Sequence, residues 1–282
     1  MELPKISVLL PSYRQPEILA LTLRDLSTQR YPAEAWELVM LDDGSKDCSA
    51  ELALRIFRED VAITVKRIPA GGTYSHAKLF NELIRLASPQ NNIFIHLEDV
   101  RLQDDILLQH AKWHLSSEKF LVTGPMCEGP SQTFDPSACS RWPTMVKSDI
   151  ISQAYHCCFQ AVFAKSMSYS RALLESLRIA GDPDPFDGSM SGWGYQETEF
   201  ALRAEHVGAI CVYDVGCAVY HPKHNARDEL NYRGINRFSM QSLGAAQNIN
   251  YLCEKHGLTG LPEWKSGRPL EAPSLVYGEG DL

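Results

Sequence analysis

Carboxylates gather where the chain turns from apolar to polar. Asp42-Asp43-Gly44-Ser45 closes the apolar run WELVMLD, Glu98-Asp99 closes NIFIHLE, and a third run, KISVLLP, gives way to Pro11-Ser12-Tyr13-Arg14. In an open α/β sheet ligands bind beyond the carboxyl ends of the strands, so these three endings would share one edge. Carboxylates brought together raise one another's pKa unless a cation neutralises them, and a divalent ion held by oxygen ligands is an economical partner for Glu98 and Asp99. Each pair also has a plainer reading. A Glu-Asp pair at a strand end is ordinary solvated turn chemistry, and Asp-Asp-Gly-Ser is a turn leading into a helix.

Only a sheet with helices between its strands would bring such endings together, and the first hundred residues have that rhythm. Apolar runs of strand length fall at 5–11, 36–42, 61–68 and 92–98, each nearly continuous, as a sheet covered on both faces requires. Amphipathic stretches at 16–29, 48–58, 74–87 and 103–115 read as the intervening helices, which makes a βαβ series and a parallel sheet. The alternation then breaks. Residues 124–148 are rich in Pro, Ser and Gly and read as a long ordered loop. A strand is expected in HCCFQAVFA, a helix near 168–179, a punctuated stretch in GDPDPFDGSMSGWG, a helix from Tyr195 to His206, and strands at 209–214 and 217–221. A long helix at 234–256 and a Pro/Gly-rich tail complete the chain, and no internal repeat is found.

A chain of 282 residues with 44% hydrophobic content can bury a full core. Its 27 basic and 35 acidic residues leave a net charge of -8, which argues against nucleic acid or an anionic membrane as the main partner. The start MELPKISVLLPSYRQ lacks the apolar core and cleavage site of a secretory signal, and nowhere do about 20 apolar residues run together, so membrane contact would be peripheral and a cytoplasmic location is expected. The eight cysteines form no CxxC pair and read as reduced thiols, with Cys157 and Cys158 as buried small hydrophobes.

The opening ISVLLPSYRQPEILALTLRDLSTQRYP, followed by WELVMLDDGSKD, resembles the start of family 2 glycosyltransferases through the first strand, its helix, the turn at Gln29 to Pro32 and the second strand. The resemblance implies the α/β GT-A fold, a Rossmann-like, mostly parallel central sheet flanked by helices, as a single domain with a C-terminal extension. Residues 1–222 would be the glycosyltransferase domain, with a nucleotide-binding half at 1–100 and an acceptor-binding half at 101–222. Residues 223–282 would be a helical extension and tail, which could fold over the active site, order on donor binding or pair two subunits in a homodimer.

By the family's pattern Pro11, Ser12, Tyr13, Arg14, Asp42 and Asp43 hold the base and ribose of the donor. IPAGGTYSHAKLFNELIRLA is similar to the next segment, which brings His76, Lys78 and Asn81 toward the donor phosphates, with His76 where Lys or Arg is usual. The family's Asp-x-Asp metal signature corresponds to Leu97-Glu98-Asp99, so that Asp99 is the main ligand, Glu98 a helper, and the first Asp is lost. His96 reads as a packed strand residue with a ligand role as the alternative. His221 in VYHPKHNARDE falls where a histidine completes the metal site in GT-A enzymes, with His224 three residues on.

FDGSMSGWGYQETEFALRAEHVGA resembles the family's acceptor segment and the Trp-Gly-x-Glu-Asp segment of galactosyltransferase-like relatives. Glu197 falls on the acidic residue that acts as base, Gln196 replaces the Glu before it, and Trp193 and Gly194 join Gln196 on the acceptor side. Trp193, and Trp142 in the long loop, could stack on a sugar face. Glu197 and Glu199 also suit the first turn of a helix on charge grounds alone. The resemblance therefore implies an inverting transferase, dependent on Mn2+ or Mg2+, that moves a sugar from a nucleotide-sugar, a UDP-sugar for preference. Its acceptor hydroxyl would belong to a saccharide, a lipid-linked glycan, a small molecule or a protein side chain. Two other readings remain. One is a catalytically retired nucleotide-sugar or glycan-binding module; the other is a nucleotidyltransferase, which would normally carry a Gly-rich loop where PSYRQPE has none.

Overall fold

The computed structural model describes residues 3–13, 15–45, 47, 49–57, 60–69, 75–128, 139–140, 154–191, 194–222, 237–261, 269–270 and 273. The chain opens with β1 (Ile6–Ser12), α1 (Pro16–Ser27), β2 (Trp36–Asp42), α2 (Ser49–Ile56), β3 (Ala62–Arg67), α3 (His76–Leu86), β4 (Ile93–Leu97) and α4 (Ile106–Ser116). It continues with β5 (Phe120–Thr123), β6 (Met126–Glu128), β7 (Cys139–Ser140), β8 (Ala154–His156), β9 (Ser166–Ser170) and α5 (Arg171–Ile179). Then come α6 (Gln196–His206), β10 (Ile210–Asp214), β11 (Val219–His221), α7 (Arg237–His256) and β12 (Pro269–Leu270).

The central sheet has the order β12-β8-β10-β5-β9-β4-β1-β2-β3. β1 pairs in parallel with both β2 and β4, and β3 in parallel with β2, so these strands end on one edge as the βαβ rhythm required. β9 runs antiparallel between β4 and β5, and β8 runs antiparallel between β10 and β12. Alternation along β1 separates two cores. Ile6, Val8 and Leu10 face a cluster with Leu19, Leu23, Leu26, Ile106, Leu107 and Trp113 from α1 and α4. Leu9, with Val39, Leu41 and Phe94, faces Phe80, Leu83, Leu177, Phe200 and Leu252 from α3, α5, α6 and α7. A sheet apolar on both faces and covered on both is the physical reason for those continuous apolar runs.

Helix ends follow local chemistry. Pro16 opens α1, where its missing N–H costs nothing. Ser75 caps α3 by accepting from the Lys78 amide, and Ser170 caps α5 by accepting from the Leu173 amide at 3.0 Å.

Several expectations need correction. β3 is the sheet edge, exposed at Ala62, Lys66 and Arg67, because β2 alone pairs with it. The stretch 124–148 contains two short strands, β6 and β7, which form a second sheet of order β11-β6-β7; the rest of it lies outside the described residues. HCCFQAVFA is not a strand: it is a buried 3-10 turn at Phe159–Ala161, flanked by β8 and β9. The helix expected near 168–179 begins only at Arg171, and residues 168–170, expected as its start, belong instead to β9 with its alternating serines. They are buried because each hydroxyl has a partner: Ser166 donates to Cys217 O at 2.6 Å, Ser168 meets His110 and His114, and Ser170 donates to Glu118 O. Cysteine chemistry also departs from a wholly reduced set. Cys127 is disulfide-bonded, and the residue opposite it across the β6–β7 pair is Cys139. Cys157, Cys158, Cys211, Cys217 and Cys253 are free thiols, with Cys157 buried and its thiol pushed up by that burial. No described helix is long and apolar enough to cross a membrane.

Candidate active site

The acidic end of β4 is held by α1. Thr22 donates from Oγ1 to the Val100 carbonyl at 2.7 Å, Asp25 takes both ends of the Arg101 guanidinium at 2.6 and 3.0 Å, and the Leu102 amide donates to Asp25 at 2.9 Å. Arg101 then makes a two-way backbone bridge with Tyr220, at 2.7 and 3.0 Å. Antiparallel register on that bridge sets His221 beside Asp99, and His221 Nε2 lies 3.3 Å from Asp99 Oδ2. Two predicted metal-site residues from distant parts of the chain are therefore brought together, by contacts that sequence reading had not named.

The countercharge for the acidic pair is a lysine. Ser166 faces Leu97 in the β4–β9 pairing, which puts Lys165 opposite Glu98. Its ammonium lies 3.0 Å from Glu98 Oε2 and donates to Asp99 Oδ1. Burial alone would pull the Lys165 ammonium down, but Asp99 and Glu98 outweigh it and hold it above the usual lysine range. The cost of two adjacent carboxylates, which suggested a divalent ion, is thus already met within the protein. His76 belongs to the same charge neighbourhood: burial lowers its pKa, while Glu98 and Asp99 act against that and Lys165 reinforces it. Its ring stacks on Phe80 at 5.5 Å. His96 is a core residue packed by Phe80, Phe186 and Tyr169, with Nε2 at 2.6 Å from the Tyr169 hydroxyl.

Where the nucleotide is expected, β1 and β2 end in register, Ser12 opposite Asp42, and the Asp43 amide donates to Ser12 O at 2.8 Å. Asp42 is fully buried, with Oδ1 accepting from the Ser45 amide at 3.1 Å and Oδ2 accepting from Arg67 Nε at 2.7 Å. Asp43, Pro11 and Tyr13 are half-buried around this point, and Arg14 lies outside the described residues. Arg67, at the end of β3, also reaches Glu51 at 3.1 Å; nothing in its linear surroundings singled it out. Lys78 is exposed on the first turn of α3. Asn81 is committed to structure, since its amide exchanges two hydrogen bonds with the Phe186 backbone, at 2.7 and 2.9 Å.

The segment expected to bind the acceptor enters α6 through strained backbone. Gly194 has φ 80 and Tyr195 has φ 69, left-handed values that cost a non-glycine residue about 1–2 kcal/mol. Asn248 of α7 donates to Gly194 O at 2.7 Å, and so reaches the strained turn from the C-terminal helix. Gln196 is buried and Glu197 half-buried on the first turn of α6; Trp193, Trp142 and His224 lie outside the described residues. Glu199 is a structural hub rather than an approach to ligand. It is fully buried and bound by Arg203 at 2.8 Å, Lys255 at 2.7 Å and His256 at 3.1 Å. Burial would push its carboxyl up, but Arg203 and Lys255 hold it below the usual range. Lys255 and Tyr251 also meet Asp187, at 2.7 and 2.8 Å, so α7 holds the chain both before and after the turn at Gly194 and Tyr195.

Residues 7–96 match the family model described as glycosyl transferase family 2. This stretch is a family 2 glycosyltransferase segment. No curated protein matches the chain. Solved glycosyltransferases share its fold over most of its length. S. aureus TarS 1-349 in complex with UDP is 14% identical with TM-score 0.59, covering 90% of this chain and 72% of its own. The mannosyltransferase PcManGT from Pyrobaculum calidifontis, in complex with GDP-Man and Mn2+, is 16% identical with TM-score 0.59, covering 91% and 65%. GalNAc-T7 with UDP, GalNAc and Mn2+ is 12% identical with TM-score 0.61, covering 91% and 51%. The chain spans less than two thirds of the last two. Its fold is GT-A, a mixed α/β architecture on a large central sheet.

The side chains at this sheet edge fit a divalent ion in a limited way. Two ligands at about 2.1 Å from one ion, at right angles, stand about 3.0 Å apart, and the 3.3 Å between Asp99 Oδ2 and His221 Nε2 matches that spacing. Among the described residues no group of three or more His, Cys, Asp and Glu side chains could hold a metal. Two protein ligands make a site that substrate phosphates and water must complete.

Proposed function

We propose that the chain moves a glycosyl group from a nucleoside diphosphate sugar, a UDP-sugar for preference, to an acceptor hydroxyl with inversion at the anomeric carbon. The observation that carries this reading is the joining of Asp99, His221 and Lys165 at the carboxyl edge of a GT-A sheet. Pro11, Ser12, Tyr13, Arg14 and Asp43 line the base and ribose, with Asp42 and Arg67 holding the strand ends. His76, Lys78, Glu98 and Asp99 border the diphosphate.

Asp99 and His221 would hold Mn2+ or Mg2+, which supplies Lewis-acid stabilisation of the departing diphosphate. Glu197 sits in the first turn of α6, where the helix dipole favours the carboxylate, the form that can accept a proton. It takes the proton of the acceptor hydroxyl as that oxygen attacks the anomeric carbon, and the nucleoside diphosphate leaves from the opposite face. Trp193, Gly194 and Gln196 form the acceptor side. The acceptor hydroxyl belongs to a saccharide, a lipid-linked glycan or a small molecule.

A second reading, a nucleotide-sugar binder without turnover, is favoured by Leu97, fully buried where the family signature has an aspartate. Calorimetric titration of UDP, GDP and dTDP, with Mn2+, Mg2+ or EDTA, tests the donor site on the wild type, Asp99→Ala and Glu197→Gln. The transferase reading expects one nucleotide to bind, with binding weakened in Asp99→Ala and kept in Glu197→Gln, and slow hydrolysis of the matching nucleotide-sugar. Binding without any hydrolysis would favour the silent module, and no binding under any condition would remove the donor site.

A further inference from the structure

We propose that Lys165 is the built-in counter-ion of the donor site, a positioning residue that keeps Asp99 aligned and makes divalent-ion binding conditional on the donor's diphosphate. The inference rests on the reading of the Asp99 edge as the diphosphate end of the donor site. Lys165 immediately precedes the antiparallel strand β9, whose first residue, Ser166, pairs with Leu97, so the central sheet fixes the point from which its side chain reaches the end of β4. Its ammonium engages one oxygen from each carboxylate, Glu98 Oε2 and Asp99 Oδ1. The other Asp99 oxygen is turned toward His221 Nε2.

This arrangement has two consequences. The ammonium engages Glu98 Oε2 at 3.0 Å, and among the described residues Asp99 and His221 have no third His, Cys, Asp or Glu beside them that would complete a metal site, so an incoming ion meets two protein ligands and not three. The fixed positive charge also repels a divalent ion arriving alone, in a half-buried site where water screens poorly. A diphosphate reverses both effects, because its oxygens add ligands and its negative charge offsets Lys165. Metal and donor should therefore bind together, and the apo protein should hold the metal poorly.

Mn2+ alone is the probe, followed by electron paramagnetic resonance and calorimetry without nucleotide, with thermal unfolding as the folding control. Wild type should bind Mn2+ no tighter than millimolar. Lys165→Met should bind it at least tenfold more tightly, as Glu98 is released to join Asp99 and His221, while Lys165→Arg should stay as weak as wild type. A purely structural ion pair would change the unfolding temperature and leave Mn2+ affinity alone. Equal affinity in Lys165→Met and wild type overturns the proposal. Micromolar binding to wild type without nucleotide also overturns it, and that result needs no variant to fold. Neither outcome bears on nucleotide binding, so failure here is distinct from failure of the donor-site reading.

Discussion

Acid should unfold this protein through its buried histidines before its carboxylates titrate. Between α4 and β9 the protons can be assigned. Ser166 gives its hydroxyl proton to Cys217 O, so His110 Nε2, 3.1 Å from Ser166 Oγ, must be the donor there. His110 Nδ1 is then an acceptor that takes the Ser168 hydroxyl proton at 2.8 Å, and His114 Nε2 in turn donates to Ser168 Oγ at 2.8 Å. The bare nitrogen left over, His114 Nδ1, is buried with no hydrogen-bond partner. Adding a proton to either ring breaks the chain or buries an unpaired N–H. Burial accordingly lowers the pKa of His96, His110 and His114 from 6.5 to about 3 each.

The sign follows directly. Between pH 6.5 and about 3 the unfolded chain binds protons that the folded protein refuses, so the histidines' contribution is intact above pH 6.5 and shrinks as pH falls. At pH 5 each histidine costs about 2 kcal/mol, and three cost about 6 kcal/mol, against a typical total stability of roughly 5–15 kcal/mol. Urea unfolding at pH 7.5, 6 and 5 should show the midpoint falling steeply across a window in which most carboxylates remain ionised. His110→Gln, even if less stable at pH 7.5, should reduce the pH slope by about a third, since one of three linked protons is gone. A midpoint that does not move between pH 7.5 and 5, or a His110→Gln slope equal to wild type, would refute the assignment.

Four further outcomes are expected. Gly124→Ala should be among the most damaging single changes, costing about 3 kcal/mol or more, because an added Cβ would lie 1.8 Å from the Cys217 carbonyl oxygen; an unchanged unfolding temperature would contradict that contact. Asp25→Ala removes the Arg101 fork and the Leu102 amide acceptor, so it should cost about 2–4 kcal/mol and weaken nucleotide binding by loosening Asp99 and His221, seen by thermal unfolding and calorimetry. Glu197→Gln should lower turnover at least about a hundredfold with nucleotide affinity kept, read from donor consumption with acceptor present. Asn248→Ala should cost about 1 kcal/mol and, on the proposed acceptor role of Gly194 and Gln196, raise the acceptor KM more than the donor KM, since it releases the Gly194 carbonyl.

The parts of this molecule legible in its sequence are those set by local periodicity. β1, β2 and β4 lie within a residue or so of their apolar runs, and α1, α3, α6 and α7 follow their amphipathic stretches, because burial on both sheet faces writes a continuous signal. β9 was illegible for the opposite reason. A strand of alternating serines is buried only because histidines on α4 and a carbonyl on a distant turn satisfy the hydroxyls, and none of those partners is nearby in sequence. The same gap hid the chemistry. Glu98 and Asp99 could be read as an acidic strand end needing a cation, and the divalent ion was the cation that sequence logic could supply. The antiparallel insertion of β9 beside β4 supplies another, Lys165, which follows an apolar run and carries no motif of its own. His221 gains its place in a similar way, through a backbone bridge from Tyr220 to Arg101 that α1 underwrites with Thr22 and Asp25. Residue types at strand ends thus indicate where a ligand will sit, while the charge state of that site depends on which strand the topology inserts next to them.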